Sequence, residues 1–216
     1  MIARILSLQV GQPRAMDPHG QPWTTATFKD PVEGKVALSS TGLVGDASAD
    51  LEHHGGVDKA ILAYSDEHTD RWRRELFPDG LPAGAFGQNF TVQGLTESNV
   101  CLGDIFDVGT ARVQVSQPRQ PCWKQNRRYH LPDLVVRIVR TGRTGWYLRV
   151  LREGEVAAGD ILTLTERPHP EWTVERANQV MHVQKTNREL TLELAACPAL
   201  AQAWVKPLRL RFSGVT

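Results

Sequence analysis

Apolar residues come in short runs along most of this chain, separated by glycine-rich turns. Ile5 to Val10, Val36 to Leu38, Ala60 to Tyr64 and Val100 to Leu102 have strand length. Ile105 to Val108 and Ala111 to Val115 predict a hairpin around Gly109-Thr110. In its second arm Ala111, Val113 and Val115 alternate with Arg112 and Gln114, the period of a half-buried strand. Trp146 to Leu151 and Ile161 to Leu164 supply two more strands, and Trp23 to Val32 reads as a hydroxyl-rich edge strand. Gly45-Asp46, Gly103-Asp104 and Gly159-Asp160 punctuate the runs as turns. Many short strands with few helices predict a mainly β fold, a barrel or sandwich, over a parallel sheet.

Two helices interrupt this pattern. Ser65 is placed to cap one running to about Leu76, with Trp72 and Leu76 on one face. Leu131 to Val139 is the other, with Pro132 in its first turn and Gly142 beyond its end. After Arg167-Pro168-His169-Pro170 the pattern turns helical. Thr173 to Val183 has helical character, Thr186 with Glu189 is a capping-box pattern, and Ala199 to Val205 follows Pro198. The chain therefore divides into a barrel domain at 1–168 and a small three-helix domain at 169–216.

Composition narrows the function class. The 216 residues carry a net charge of +1, 41% hydrophobic and 23% charged residues, which offers no broad surface for nucleic acid or membrane. No apolar run approaches the roughly 20 residues of a membrane span. The first residues, Met1-Ile2-Ala3-Arg4-Ile5, lack a signal-peptide core. Three cysteines, Cys101, Cys122 and Cys197, with no Cys-x-x-Cys pair, argue against a disulfide framework and a finger-type zinc site, and for a reducing cytoplasm.

Candidate chemistry concentrates in a few segments. Gln117-Pro118-Arg119-Gln120-Pro121-Cys122-Trp123-Lys124 presents a thiol between two cations. A free thiol is only about 3% ionised at pH 7, and nearby Arg, Lys or a metal lowers its pKa. The prolines make the segment stiff and extended. A small apolar cysteine at a loop edge is the competing reading. His53-His54-Gly55-Gly56-Val57-Asp58-Lys59 offers backbone N–H groups to an anion, with Lys59 as a point charge. A solvated loop, or a zinc site built on His53, His54 and an aspartate, competes there. Gly84-Ala85-Phe86-Gly87-Gln88-Asn89 is either a turn or a place where Asn89 meets a heterocycle edge. Thr141-Gly142-Arg143-Thr144-Gly145-Trp146-Tyr147 reads as a helix-to-strand turn that buries aromatics.

Taken in order, these segments resemble the MOSC-domain family, related to the C-terminal domain of molybdenum-cofactor sulfurases. Within it the resemblance is to the YiiM-type subgroup, bacterial proteins of 6-N-hydroxylaminopurine resistance. The carrying residues are Thr25-Ala26 with Lys29 and Pro31-Val32, Gly42-Leu43 with Gly45-Asp46, and His54-Gly55-Gly56 with Asp58-Lys59-Ala60. Phe86-Gly87 with Asn89, Gly103-Asp104, Val115 to Arg119 with Pro121-Cys122, and Gly142 to Tyr147 complete the set. The resemblance spans about residues 4–166, and the tail resembles the three-helix domain that follows the barrel in this subgroup. It departs at Gln88, where the family often has Glu, and at Thr24, where many relatives have Lys.

The resemblance implies a β-barrel fold and an oxidoreductase that binds the molybdenum cofactor (molybdopterin) and reduces N-hydroxylated bases to amines. Cys122 is then the metal ligand and, with His54, catalytic. Thr25, Lys29, Gly55, Gly56, Lys59, Asn89 and Arg119 are the expected cofactor contacts. Electrons come from a separate donor protein, because no flavin, Fe–S or nicotinamide fingerprint is present. Two other classes stay open: a sulfur carrier using a Cys122 persulfide, and a non-catalytic module binding an anion or cofactor.

Overall fold

The computed structural model describes residues 2–17 and 21–213. Its strands are β1 (Arg4–Val10), β2 (Arg14–Met16), β3 (Trp23–Thr25), β4 (Asp30–Val32), β5 (Val36–Ser39), β6 (Gly42–Leu43) and β7 (Ile61–Ser65). They continue with β8 (Phe90–Gln93), β9 (Ile105–Val108), β10 (Ala111–Pro118), β11 (Trp146–Arg152), β12 (Gly154–Val156) and β13 (Thr163–Glu166). Helices α1 (Glu67–Glu75), α2 (Lys124–Tyr129) and α3 (Leu134–Thr141) lie between strands; α4 (Val174–Asn178), α5 (Arg188–Ala196) and α6 (Gln202–Leu210) form the tail.

Eight strands make one curled sheet in the order β13-β9-β10-β11-β7-β8-β1-β4. Only β7 and β8 run parallel within it. The residues just before β13 close the ring against β1: Ile5 N–H donates to Asp160 O at 2.9 Å, Leu162 N–H to Ala3 O at 3.0 Å, and Arg4 bridges Ile161. The expected barrel is therefore present, and closure leaves little free edge. The Ile105–Val115 hairpin forms as its alternation predicts, with Val113 opposite Phe106.

Some sequence expectations need correction. Val100–Leu102 is not a strand; Cys101 makes one isolated bridge to Thr173, and Gly103, at φ 81°, turns the chain away. The Trp23–Val32 strand is two short strands, β3 and β4, with an irregular link. Ser65 does not cap α1 but ends β7, and Asp66 precedes the helix. The helix predicted over Leu131–Val139 begins only at Leu134, so Pro132 stays outside it; Gly142 does close it, at φ 71°. Asn187, not Thr186, caps α5, its side chain accepting from Leu190 N–H. Thr173 caps α4, which passes into a π-turn at Gln179–Val183.

The main core fills the barrel with Ile5, Leu8, Phe90, Val113, Val115 and Leu148. It runs without a break into Trp172, Val180, Leu194 and Trp204 of the tail. The helices thus share the barrel's core. A second cluster of Tyr64, Trp72, Phe86, Leu134 and Ile138 packs α1 and α3 on the outer side. No helix among the described residues is long and apolar enough to cross a membrane.

Candidate functional site

Strands β3, β7 and β11, the loop after β6, the turn that leads into β8 and the segment that follows β10 converge around a cavity of about 630 Å³. All nine residues singled out in the sequence line it: Thr25, Lys29, His54, Gly55, Gly56, Lys59, Asn89, Arg119 and Cys122. They come from four separate stretches of chain, and only the closed barrel brings them together.

The cysteine segment is aimed by a bulge. In the β10–β11 pairing Val115 faces Leu148 and Gln117 faces Tyr147, so Ser116 is the extra residue. Its hydroxyl is tied to Asp58 O and Tyr147 O. The chain then stays extended through Pro118, as its prolines require. Arg119 N–H bonds Gly145 O at 3.0 Å, across a turn in which Gly145 sits at φ 73°. A Cβ at Gly145 would lie 2.5 Å from Ala63 O, so only glycine lets β7 approach there. Beyond Cys122 the chain coils at once into α2, which the sequence pattern did not reveal.

Four side chains from this segment grip three consecutive carbonyls of the Gly84–Asn89 turn. Arg128 reaches Gly84 O, Tyr129 OH donates to Ala85 O at 2.7 Å, and Arg119 and Gln125 both donate to Phe86 O, at 2.9 and 3.2 Å. The two motifs travel together because one braces the other. Cys122, half-buried, lines the cavity together with Arg119 and Lys124. Cys101 and Cys197 are buried away from the cavity, and burial raises both thiol pKa values.

The opposite wall is internally matched. Lys29 is buried and its ammonium is paired with Asp46. Burial lowers the lysine's pKa and the carboxylate offsets part of that. Asp46 also accepts from Gly11 N–H and from Asn89 Nδ2, both at 2.8 Å. Asn89 Oδ1 accepts from Leu62 N–H at 3.1 Å, and its amide also donates to Gln9 O. The Asn89 donors expected at a heterocycle edge are thus committed inside the protein, which leaves a lone pair on Oδ1. Thr25 Oγ1 is similarly engaged, accepting from Thr27 N–H at 3.2 Å.

The glycine–histidine loop forms the third side. His53 turns out to Asp50, with Nδ1 3.2 Å from a carboxylate oxygen, while His54 lines the cavity. The adjacent histidines diverge, and the described residues contain no group of three His, Cys, Asp or Glu placed to hold a metal. The Gly55 and Gly56 N–H groups make no hydrogen bond among the described residues, and Gly56 has φ 93°. Lys59 donates to His53 O. Asp58 faces away: Arg149 pairs with it at 2.8 Å and also reaches Ala199 O, tying the loop to the tail. Burial lowers His54 to a pKa of about 4; Asp50 raises it, and Arg119, Lys124 and Lys59 add to the lowering. The ring is neutral at pH 7, and in the lining Lys29, Lys59, Arg119 and Lys124 outnumber Asp46 and Asp50.

That positive charge is largely uncompensated. Arg119 is 5% exposed, has no carboxylate partner, and its Nη1 makes no hydrogen bond. Gln125 is fully buried on the same wall with Oε1 unpartnered. A buried unpaired cation costs several kcal/mol, so the site is built to receive an anion. Gln125 and Tyr147 are lining residues that sequence reasoning missed as site residues. No signal marked Gln125, because it faces the cavity only through α2.

The two departures fall outside the cavity. Thr24 is exposed, facing away from its neighbour Thr25 on β3. Gln88 is buried in its own turn, accepting from Phe86 N–H at 3.0 Å and donating to Thr91. Neither residue lines the cavity.

Comparison with known proteins matches residues 50–163 to the MOSC domain and residues 172–213 to the YiiM-like, 3-alpha helix domain. The crystal structure of YiiM from Geobacillus stearothermophilus superposes with a TM-score of 0.84 at 38% identity, over 98% of this chain and 100% of that one. Protein YiiM of Escherichia coli is 37% identical over 197 residues, 90% of this chain and 86% of its own length. A Gibberella moniliformis protein named "Reductase" is 38% identical over 178 residues, 81% of this chain but 32% of that protein. With the barrel and the helical tail both matched, the chain belongs to the MOSC-domain family, in its YiiM-like branch.

Proposed function

We propose that the cavity binds an anionic molybdopterin cofactor, that Cys122 ligates its molybdenum, and that the protein reduces N-hydroxylated bases and related compounds to amines. Family membership and the relative named as a reductase support an oxidoreductase role in general. The observation that carries the finer reading is the buried, unpaired Arg119 beside a half-exposed Cys122 in a positive cavity.

The residues fit such a group. Cys122 is the one cysteine that lines the cavity, and the described residues hold no group of three His, Cys, Asp or Glu placed to hold a metal. A metal held there must arrive with ligands of its own, as a dithiolene-bearing pterin supplies. Thiolate suits molybdenum, and binding removes the thiol proton. Arg119, the free Gly55 and Gly56 N–H groups and Lys59 would hold the anionic parts. Lys29 acts through Asp46 as scaffold. When bound, the cofactor supplies the two-electron chemistry. His54, neutral and unbonded, accepts or donates a proton beside the substrate. Tyr147, whose phenol burial keeps protonated, lines the same space as a donor.

The test is anaerobic reconstitution with molybdenum cofactor, elemental analysis, and assay on an N-hydroxylated base. Wild type retains molybdenum stoichiometrically and turns over; Cys122→Ser loses both. Sulfane sulfur on Cys122 with no molybdenum retained would instead favour the sulfur-carrier reading.

A further inference from the structure

We infer that the surface formed by Trp123, Arg127 and the outer face of α2 is the docking site for an acidic electron-transfer protein. The inference rests on the redox reading above and names the partner that the same site requires. The chain carries no flavin, Fe–S or nicotinamide fingerprint. Two electrons per turnover must therefore enter from outside, close to Cys122.

The surface has the composition of an interface centre. Trp123 is 53% exposed and follows Cys122 directly, so their Cα atoms are about 3.8 Å apart. Its ring tilts against Trp23, with centroids 5.9 Å apart. The Arg127 guanidinium lies 5.6 Å from the Trp23 ring centroid and 5.7 Å from that of Trp123. Exposed Trp and Arg are the residue types that dominate binding energy at interfaces.

The charge is one-sided. From Val108 to Pro132 the chain has no acidic residue. Lys124 and Arg127, both partly exposed, fall within it, and neither pairs with a carboxylate among the described residues. Among the described residues the Arg127 side chain bonds only the neutral Gln21. The acids near this side on other elements are Asp30, already paired with Arg14 at 2.7 Å, and Asp50, which lines the cavity with Lys124. A chain of net charge +1 thus concentrates free cations beside its cysteine, which steers an acidic partner to that face. Neither Trp123 nor Arg127 lines the cavity, while Lys124 does, so this surface adjoins the ligand site without being part of it.

The overall step balances as R–NHOH + 2 e⁻ + 2 H⁺ → R–NH₂ + H₂O. The N–O bond breaks, its oxygen leaves as water, and two one-electron carriers are oxidised.

The probe is an acidic [2Fe–2S] ferredoxin, with basic cytochrome c as control. Ferredoxin should quench the tryptophan fluorescence of wild type at low salt, and Trp123→Phe should remove most of that quenching. Affinity should fall about tenfold or more between roughly 20 and 200 mM salt. Arg127→Glu should weaken binding by about tenfold, and Arg127→Gln by less, with both variants folded by circular dichroism. In the reconstituted protein, ferredoxin-driven turnover should fall with Arg127→Glu while turnover driven by reduced methyl viologen stays unchanged. Equal binding by wild type and Arg127→Glu, or binding no tighter than cytochrome c, overturns the inference. Absent viologen-driven turnover in wild type would overturn the proposed function instead, and the binding measurement would still decide the docking site.

Discussion

Two walls of one cavity treat their cations in opposite ways. On one, Lys29 is closed by Asp46, which Asn89 and the Gly11 N–H hold in place. On the other, Arg119 is equally buried, yet Nη1 and the neighbouring Gln125 Oε1 meet nothing. The first wall is finished by the protein and acts as scaffold. The second leaves a donor and an acceptor unpartnered, as the proposed ligand site requires, and it is the wall that carries Cys122. Sequence motifs of similar appearance thus serve different purposes, and hydrogen-bond accounting separates them.

The sharpest way to break this contrast is to unpair the matched wall. Asp46→Ala should destabilise the protein by about 3–5 kcal/mol, because it strands a buried ammonium. Denaturant unfolding measures it, and a loss below about 1 kcal/mol would show that the pair is not structural. Arg119→Met should do the reverse. The bare protein should stay as stable or gain about 1 kcal/mol, while cofactor retention falls at least about tenfold. Thermal melts with and without cofactor separate the two effects; destabilisation of the bare protein equal to that of Asp46→Ala would erase the distinction between the walls.

Protons report the same contrast more gently. The His54 pKa is about 4 in the folded chain, against roughly 6.5 unfolded. Between those values the unfolded chain binds more protons, so stability falls as pH drops from about 6.5 through 4. His54→Gln should flatten that part of the profile. An anion seated near Arg119, Lys124 and Lys59 should raise the His54 pKa, which a histidine NMR titration reads directly. An unchanged titration would place the anion elsewhere. The smallest effects belong to the family departures: Thr24→Lys and Gln88→Glu should each leave cofactor retention unchanged. Thr24→Lys should also shift stability by no more than about 0.5 kcal/mol, since its side chain is exposed. A tenfold gain in retention from either would restore these positions to the site.

Sequence reading reached much of this molecule for identifiable reasons. The Ala111–Val115 alternation, the paired hairpin and the closing Gly142 are local features, and each appears where its local physics places it. Where local rules compete, the outcome shifted by one or a few residues, as when Asn187 outcompeted Thr186 for the α5 cap. Val100–Leu102 has strand composition, but no neighbouring strand is available to pair with it beyond a single bridge. Gln125 carried no signal, because a short helix formed by tertiary bracing sets its direction.

The sequence by itself determined a mainly β class and the helical tail, because periodicity is written into the chain, and its resemblance to the MOSC family pointed to the barrel and to the residues that gather at the site. Only the tertiary structure decided which of those residues are free. Lys29 and Asn89 look as available as Arg119 until their partners, dozens of residues away, are brought within hydrogen-bond reach. Whether a buried charge is satisfied depends on contacts distant in sequence, and folding alone makes them.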